Sequence, residues 1–567
     1  MVKQQLTDLI FNALESARDS GAIANLVEIP TPTLEAPRSR EHGDYSTNIA
    51  MVLAKPLGLS PRLVADAVIK HLPSQKLIEK AEVAGPGFIN FTLNPNWLQD
   101  LLRRVAEEGD SYGTFKSSAP QQIQVEFVSA NPNGPITVAH GRGGAIGDVL
   151  ASLLTAVGHN VEREFYVNDA LNSTQMNNFG RSVHFRYMQL LGHDMGSDDL
   201  DWLYRGDYVT DIAKKAVTQI GSSYEKLDIA DPATIQKFRD IAQEGMQQEQ
   251  IDDLKAFGIV FDKWFSESTL HESGAVERDI QHLTDRGFTY KLDGALWLKS
   301  TLFGDDKDRV LLRADGSPTY IAGDVAYHKA KLDRYDRVID VWGADHGGYI
   351  ARTKAAVAAN GYDPERVYVL LFQLVRIMKN GELVRSSKRR GNVLELRADL
   401  VDEIGKDAAR FFFLSRSSDT PLDIDMDLAR EQSSKNPVYY VQYAHARCCT
   451  VIEKALAADI TIPVAATTDL TVLTTEQEVD LIKKLGDWPD EVRYAADSYA
   501  PHRLTHYVRD LAGVFHTFYD AGNNEPALRV LVEDSSLRDA RLVLISSVQQ
   551  VLKNALGILG VSAPVRM

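Results

Sequence analysis

The sequence predicts a multidomain α/β protein: a small α+β domain first, a parallel-sheet domain in the middle, and an all-α bundle at the end. Three observations predict it. Residues 123–154 read as a buried strand, a loop and a helix with an open N-terminus. Two further apolar strands, 161–167 and 336–343, belong to the same kind of sheet. Past about residue 433 the hydrophobic period turns wholly helical.

At 567 residues the chain is too long for one core, and domains are expected at 1–112, 113–432 and 433–567. Charged residues at 25% and hydrophobic ones at 44% are ordinary for a globular chain. Asp8 and Glu15 interrupt the N-terminal pattern, which does not read as a secretion signal. No run approaches the ~18 apolar residues of a membrane span, so no membrane contact is expected. The only cysteines, Cys448 and Cys449, are adjacent, which suits neither a zinc site nor an ordinary disulfide. A reducing, cytoplasmic location is expected. The net charge of −16, from 62 basic and 78 acidic residues, weighs against diffuse nucleic-acid binding. An RNA partner would have to be met by local sites.

Within 1–112, Leu6, Ile10, Ala13 and Ala17 mark one amphipathic helix. Ile49, Val52 and Leu53 mark a second, and Val64, Ala67 and Ile69 a third. Residues 85–93, GPGFINFTL, form a glycine-pinned strand with alternating faces, on which Phe88 by itself reads as a core aromatic.

In the middle domain, Ile123 to Val128 is the first strand, and Pro132, Gly134 and Pro135 break the regular structure after it. His140, Gly141 and Gly143 open a helix carrying Ile146, Val149, Leu150, Leu153 and Leu154 at helical spacing. Unpaired N–H groups and the positive end of the dipole make such an N-terminus a place for anions. The glycines are expected to let a nucleotide approach the backbone. A dinucleotide fingerprint, Gly141-x-Gly143-x-x-x-Gly147 with Glu162 or Glu164 on the ribose, is the rival. Its first glycine should follow the strand at once, whereas here about a dozen residues intervene.

VEFVSANPNGP followed by Thr137-Val138-Ala139-His140 resembles the signature of class I aminoacyl-tRNA synthetases, and of arginyl-tRNA synthetases among them. There the strand leads through S-x-N-P into an H-x-G-H motif. The second histidine stands as His140, while threonine and alanine replace the first histidine and the glycine. Thr137 keeps a hydroxyl donor over a shorter reach. Ala139 puts a methyl group where the family's glycine lets adenine lie against the backbone. The resemblance implies a Rossmann-like catalytic domain, with ATP contacts from Thr137, Ala139, His140 and Gly141. It implies arginine contacts from Glu126, Ser129, Asn131 and His140. A glutamate buried between Val125 and Phe127 needs a partner in any case.

Residues 195–265 read as a helical insertion without chemistry, whose charged positions form a solvated face; Asp231-Pro232 starts its clearest helix. Asp315-Gly316 signals a hairpin. Tyr320 and Asp324, four apart, share one helical face, and the resemblance sets them against the arginine substrate. A guanidinium is a planar fork of donors best met by carboxylates, so this pair with Glu126 would discriminate against lysine. The strand at 336–343 ends in Gly343-Ala344-Asp345-His346, which resembles the element that binds the amino acid and the ATP ribose, through Asp345. Arg385-Ser386-Ser387-Lys388-Arg389 resembles the K-M-S-K-S loop. By that resemblance Arg385, Ser387 and Lys388 touch ATP, and Lys388 joins His140 as a catalytic residue. Charge developing on the pyrophosphate calls for a cation there and no covalent nucleophile. Some arginyl enzymes carry a substitute lysine in the strand-to-helix loop, where this chain has Gly134.

In the last domain Asn436-Pro437 starts a long helix bearing Tyr439, Tyr440, Tyr443 and Arg447. YYVQYAHAR, PHRLTHYVRDLAG and the terminal LGVSAPVRM are similar to the anticodon-binding bundle of the same family, with Tyr440, Tyr443 and Arg447 as tRNA contacts. Tyr440 and Tyr443 read equally as core residues. The first domain resembles the part that holds the outer corner of tRNA, where Phe88 and Asn90 would touch the D-loop. The resemblance implies an arginine–tRNA ligase acting as a monomer on arginine, ATP with Mg²⁺, and tRNA-Arg, with no resident metal. Members of the family generally activate arginine only when tRNA is present. A nucleotidyltransferase of the same fold, or a non-catalytic RNA-binding paralogue, would differ in tRNA-dependent exchange and in charging.

Overall fold

The computed structural model describes residues 2–35, 37, 39–169, 173–225, 229, 231–384 and 394–567. The chain opens with α1 (Val2–Asp19), the short strands β1 (Leu34–Glu35) and β2 (Tyr45–Thr47), α2 (Ile49–Leu57) and α3 (Pro61–His71). Ser60 starts α3 by accepting the Leu63 N–H at 3.3 Å, with Pro61 in the first turn. β3 (Ile78–Ala84) and β4 (Phe88–Leu93) complete an antiparallel sheet of order β1-β2-β4-β3. Ile89, Phe91 and Leu93 face Ile10, Leu14, Leu53 and Val64 in a core of their own. Next, α4 (Asn96–Glu108) belongs to two cores: Trp97 to this one, Leu102 and Val105 to the main one.

The middle domain is built on a five-stranded, all-parallel sheet of order β12-β11-β5-β6-β7. In chain order it runs β5 (Gln122–Glu126), α5 (Val138–Ala156) and β6 (Asn160–Val167). The helices α6 (Thr174–Leu190), α7 (Asp207–Ile220) and α8 (Pro232–Ala256) lead into β7 (Lys263–Ser266). Then come α9 (Ser268–Glu272), α10 (Ala275–Asp285) and a separate antiparallel sheet of β8 (Thr289–Leu292), β9 (Ala295–Leu298) and β10 (Arg309–Leu312). The chain returns through α11 (Tyr320–Leu332), β11 (Arg337–Gly343), α12 (Ile350–Ala359) and β12 (Val367–Phe372). Strand order reverses between β5 and β11, which is the switch point where ligands of open α/β sheets bind. A small sheet follows, of β13 (Val375–Lys379), β14 (Glu382–Leu383) and β15 (Leu422–Asp425). Around it lie α13 (Asp402–Ile404), α14 (Lys406–Phe413) and α15 (Met426–Arg430).

The last domain packs α16 (Pro437–Ala457), α17 (Glu476–Asp497), α18 (His502–Asn524) and α19 (Ser535–Leu559). Its core is continuous with that of the parallel sheet. Arg410 ties the two, donating to Asp148 Oδ2 on α5 at 2.6 Å and to the Leu559 carbonyl on α19 at 3.0 Å.

One expectation from the sequence changes. The insertion drawn at 195–265 runs into β7, a strand of the central sheet; the helical layer that shares its own core is α6 to α8. Four-residue strands such as β7 are too short to show a period of two. Although no unbroken apolar run approaches a membrane span, α19 is long and apolar enough by mean composition to cross one. It is mostly buried, and its apolar faces are the centre of the bundle.

Candidate active site

The site gathers at the C-terminal ends of β5 and β11. Right after β5 the backbone turns sharply through Val128 (φ 68°) and Ser129 (φ 41°). Positive φ at a β-branched residue costs about 1–3 kcal/mol and persists only where its surroundings hold it. Here the turn folds Ser129 back, so that its hydroxyl donates to Glu126 Oε1 at 2.9 Å and accepts the Tyr166 N–H at 3.1 Å. The loop beyond is held by the helical layer. Gln250 of α8, buried, donates to the carbonyls of Asn131 at 3.1 Å and Gly134 at 2.9 Å. Asn133 reaches Gln175 at 3.2 Å and the Tyr204 hydroxyl at 3.1 Å. The layer expected to carry no chemistry is therefore the scaffold of the signature loop.

Thr137 is the N-cap of α5. Its hydroxyl accepts the His140 N–H at 3.4 Å, and the Thr137 N–H donates to His140 Nδ1 at 3.1 Å, a reciprocal capping box. With Nδ1 accepting, the proton of the neutral ring sits on Nε2. Ala139 is exposed beside it. On the other side of the cap, Val138 N–H donates to the Leu394 carbonyl at 3.0 Å and Leu396 N–H to that of Ile136 at 2.8 Å. The chain leaving the Arg385–Arg389 segment is thus pinned to the mouth of α5. Arg385, Ser387 and Lys388 themselves lie outside the described residues.

Two glycines of α5 meet packed side chains. A Cβ on Gly141 would come within 2.5 Å of Leu396 Cδ1, and one on Gly147 within 2.3 Å of Phe127 Cγ. The space is filled by protein, so Gly141 serves helix packing.

Glu126 is corrected in part. It is buried, as expected, but the chain supplies its cation: Oε2 meets the Lys331 ammonium and lies 3.0 Å from the Tyr327 hydroxyl. Burial pushes its carboxyl above the usual range, against the pull of Lys331. Asp324, one turn into α11, is also pushed up by burial, with His328 and Arg352 opposing. Tyr320 heads that helix with its ring 75% exposed. A third acid, Glu267, went unnoticed in the sequence; it is buried, with Oε1 3.5 Å from where a Cβ on Gly323 would stand. The hydroxyl of Tyr166 is raised well above its ordinary pKa, by burial first and then by Glu267, Asp324 and Glu126. Three carboxylates thus act on one hydroxyl. At the end of β11, Asp345 is exposed, with its carboxylate 3.7 Å from His346 Nε2.

The RNA-facing expectations divide. On α16, Tyr439 and Tyr443 stack at 5.9 Å, and Arg447 lies 4.6 Å from the Tyr443 ring and 4.7 Å from that of Tyr519. Tyr440 leans on His516 at 4.6 Å, half-buried. Phe88 is 38% exposed, so it is no core aromatic. Asn90, beside it on the strand, is 5% exposed and accepts the Ser46 hydroxyl at 2.7 Å.

A parallel sheet with a switch point, a capped helix mouth beside it and a helical C-terminal domain together make the build of a class I aminoacyl-tRNA synthetase. Three family profiles match the chain: the arginyl tRNA synthetase N terminal domain over residues 4–93, the class I (R) tRNA synthetase catalytic domain over 103–419, and the DALR anticodon binding domain over 441–567. It is 46% identical to the arginine–tRNA ligase of Caldanaerobacter subterraneus subsp. tengcongensis, over 100% of this chain and 99% of that one. With that of Heliobacterium modesticaldum it shares 44%, over the same fractions. The fold superposes on the arginyl-tRNA synthetase of Thermus thermophilus with a TM-score of 0.75, at 23% identity and full coverage of both chains. The chain belongs to the arginyl-tRNA synthetases, ligases that use ATP to join arginine to tRNA.

Proposed function

We propose that arginine binds with its guanidinium among Glu126, Asp324 and Glu267, under the ring of Tyr320, and with its backbone end toward Ser129, Asn131 and Asp345. The observation that carries this is that Glu126 and Glu267, both buried, and Asp324, partly buried, all act on the Tyr166 hydroxyl beside the switch point. Carboxylates drawn together in this way suit a delocalised cation with several donors.

ATP lies across the mouth of α5, with Thr137, Ala139 and His140 at the helix and Arg385, Ser387 and Lys388 on the adjoining loop. A carboxylate oxygen of arginine attacks the α-phosphorus, and pyrophosphate leaves as its charge is met by His140 Nε2–H and Lys388. The 3′-terminal ribose hydroxyl of tRNA-Arg then attacks the arginyl carbonyl, and AMP departs. Mg²⁺ enters on ATP, where it would spread the charge of the phosphates.

The stacked ladder of Tyr439, Tyr443 and Arg447, with Tyr440 beside it, is the surface for splayed anticodon bases, and Phe88 meets the outer corner of the tRNA. One chain supplies every part of the site, so a monomer is a complete catalyst. The free, buried Cys448 and Cys449 suit a cytoplasmic enzyme working away from membranes. Charging of bulk tRNA with each of the twenty amino acids tests the reading. Arginyl-tRNA alone should form; lysyl-tRNA at a similar rate would refute the carboxylate pocket.

A further inference from the structure

Under the candidate arginine pocket lies a layer of charge buried between the sheet and α11. At its centre is Lys331, with no exposed side-chain surface. Its ammonium meets Glu126 on β5 and Asp340 Oδ1 on β11, the latter at 2.8 Å, and sits 4.2 Å from the Tyr327 ring centre. On β6, Glu164 Oε1 lies 2.6 Å from the Tyr327 hydroxyl. Its Oε2 is paired with Lys263 of β7 at 3.0 Å and with Arg334 at 3.7 Å. On α11 itself, His328 Nδ1 lies 2.8 Å from the Asp324 carbonyl and Nε2 3.2 Å from Asp340 Oδ2. Arg352 of α12 acts on Asp324 from the far side.

Both nitrogens of His328 face acceptors, so the ring is held as a cation. Burial alone would lower the pKa of His328 and of Lys331, but their carboxylate neighbours carry both above their ordinary values. Glu164 is balanced by its own partners. The innermost set is then Glu126, Asp324 and Asp340 against Lys331, His328 and Arg352.

We propose that Lys331 is a positioning residue for arginine: it holds the Glu126 carboxylate turned onto Ser129, so that the pocket offers the incoming guanidinium one fixed carboxylate edge. This rests on the reading that Glu126 and Asp324 receive the guanidinium. With Oε2 engaged by Lys331 and Tyr327, and Oε1 by Ser129, the carboxylate has no freedom to rotate. The other possible job for Lys331 is merely to neutralise Asp340, and the two make different predictions.

The experiment uses the full chain with tRNA present and follows aminoacylation against arginine and against ATP over a range of pH. In Lys331→Met, kcat/KM for arginine should fall about 10- to 100-fold, with KM for ATP within about twofold. Its acid limb should move to higher pH, because Glu126 without its ammonium keeps its proton longer. The double variant Lys331→Met/Asp340→Asn removes one charge of each sign, and it carries the test if the single variant does not fold. There the arginine defect should persist. Recovery of arginine kinetics in the double variant would show that Lys331 serves only Asp340, and would overturn the proposal. So would equal losses toward arginine and ATP, or an unmoved acid limb. Asp324→Asn separates the layers of argument. If it impairs arginine use while Lys331→Met does not, only this inference falls; if it leaves arginine use intact, the pocket falls and the inference with it.

Discussion

Replacing Thr137 by alanine removes the hydroxyl that caps α5 and tethers His140. The cap accepts the His140 N–H, and its loss at an N-terminus costs about 1 kcal/mol, within a range of about 0.5–2. The tether is a second contact, 3.1 Å from the hydroxyl to His140 Nδ1; a neutral hydrogen bond of that kind is worth about 0.5–1.5 kcal/mol. Part of the box survives, since the Thr137 backbone N–H still reaches Nδ1. The expected result is a stability loss of about 1 kcal/mol. Adenylate formation should be slower by about 2- to 12-fold, that tether energy expressed as a rate. Thr137→Ser keeps the oxygen and should stay within about twofold of the parent. Thr137→His, which restores the residue usual in the family, should cost about 1–3 kcal/mol, because a bulky ring must replace a hydroxyl already engaged with His140. The assay is single-turnover adenylate formation with tRNA present, paired with chemical unfolding. A faster reaction in Thr137→His would refute the reasoning, as would a serine variant as impaired as the alanine one.

Glu126→Gln and Asp324→Asn should each lower the specificity constant for arginine by about 2–4 kcal/mol, and unchanged arginine kinetics in both would remove them from the pocket. Lys388→Ala should slow adenylation by about 2–4 kcal/mol while barely weakening ATP binding, and Arg385→Ala should do less; equal effects contradict the roles given to them. In the bundle, burial lowers the pKa of His445, His502 and His516 below the ordinary 6.5. The unfolded chain then binds the extra protons, so stability is present above about pH 6.5 and lost as the pH falls toward the folded values. Hydrogen exchange in α16 and α18 should therefore speed up between about pH 7.5 and 5.5, corrected for intrinsic rates, and a flat profile would count against it. Arg410→Met should destabilise the chain by about 1.5–3 kcal/mol, since Asp148 loses one charged partner but keeps Arg163; urea unfolding reads this directly.

The sequence made the strand, loop and helix at 123–154 legible because each has a local cause: an apolar run, two prolines, a capping threonine and an apolar helical stripe. The packing role of Gly141 was not legible, because the groups that fill its space, Leu396 and Phe413, are far away in the chain, and a glycine kept for packing looks the same as one kept for a ligand. Lys331 left a readable trace: Asp324, His328 and Lys331 form an i, i+4, i+7 polar stripe on a helix whose other positions, such as Ile321 and Val325, are apolar. A stripe like that on a buried helix means polar partners inside the protein. The alternation needed to find β7 to β10 was never available, since each spans four residues.

One helix joins the two ends of the reaction. The mouth of α5 carries Thr137 and His140, and its C-terminal half is packed on α14, α17 and α19, with Asp148 held by Arg410. Val149, Leu150, Leu153 and Leu154 lie in the same core as Trp488, Leu552 and Leu559 of the bundle. A densely packed core does not yield by small continuous degrees, so a bundle that shifts as it grips an anticodon must carry α5 with it or break that packing. The Leu394–Leu396 segment, hydrogen-bonded to residues 136–138, moves with the helix mouth. The helical bundle and the capped mouth that bears His140 are thereby joined by one rigid element, so that what displaces the one acts on the other.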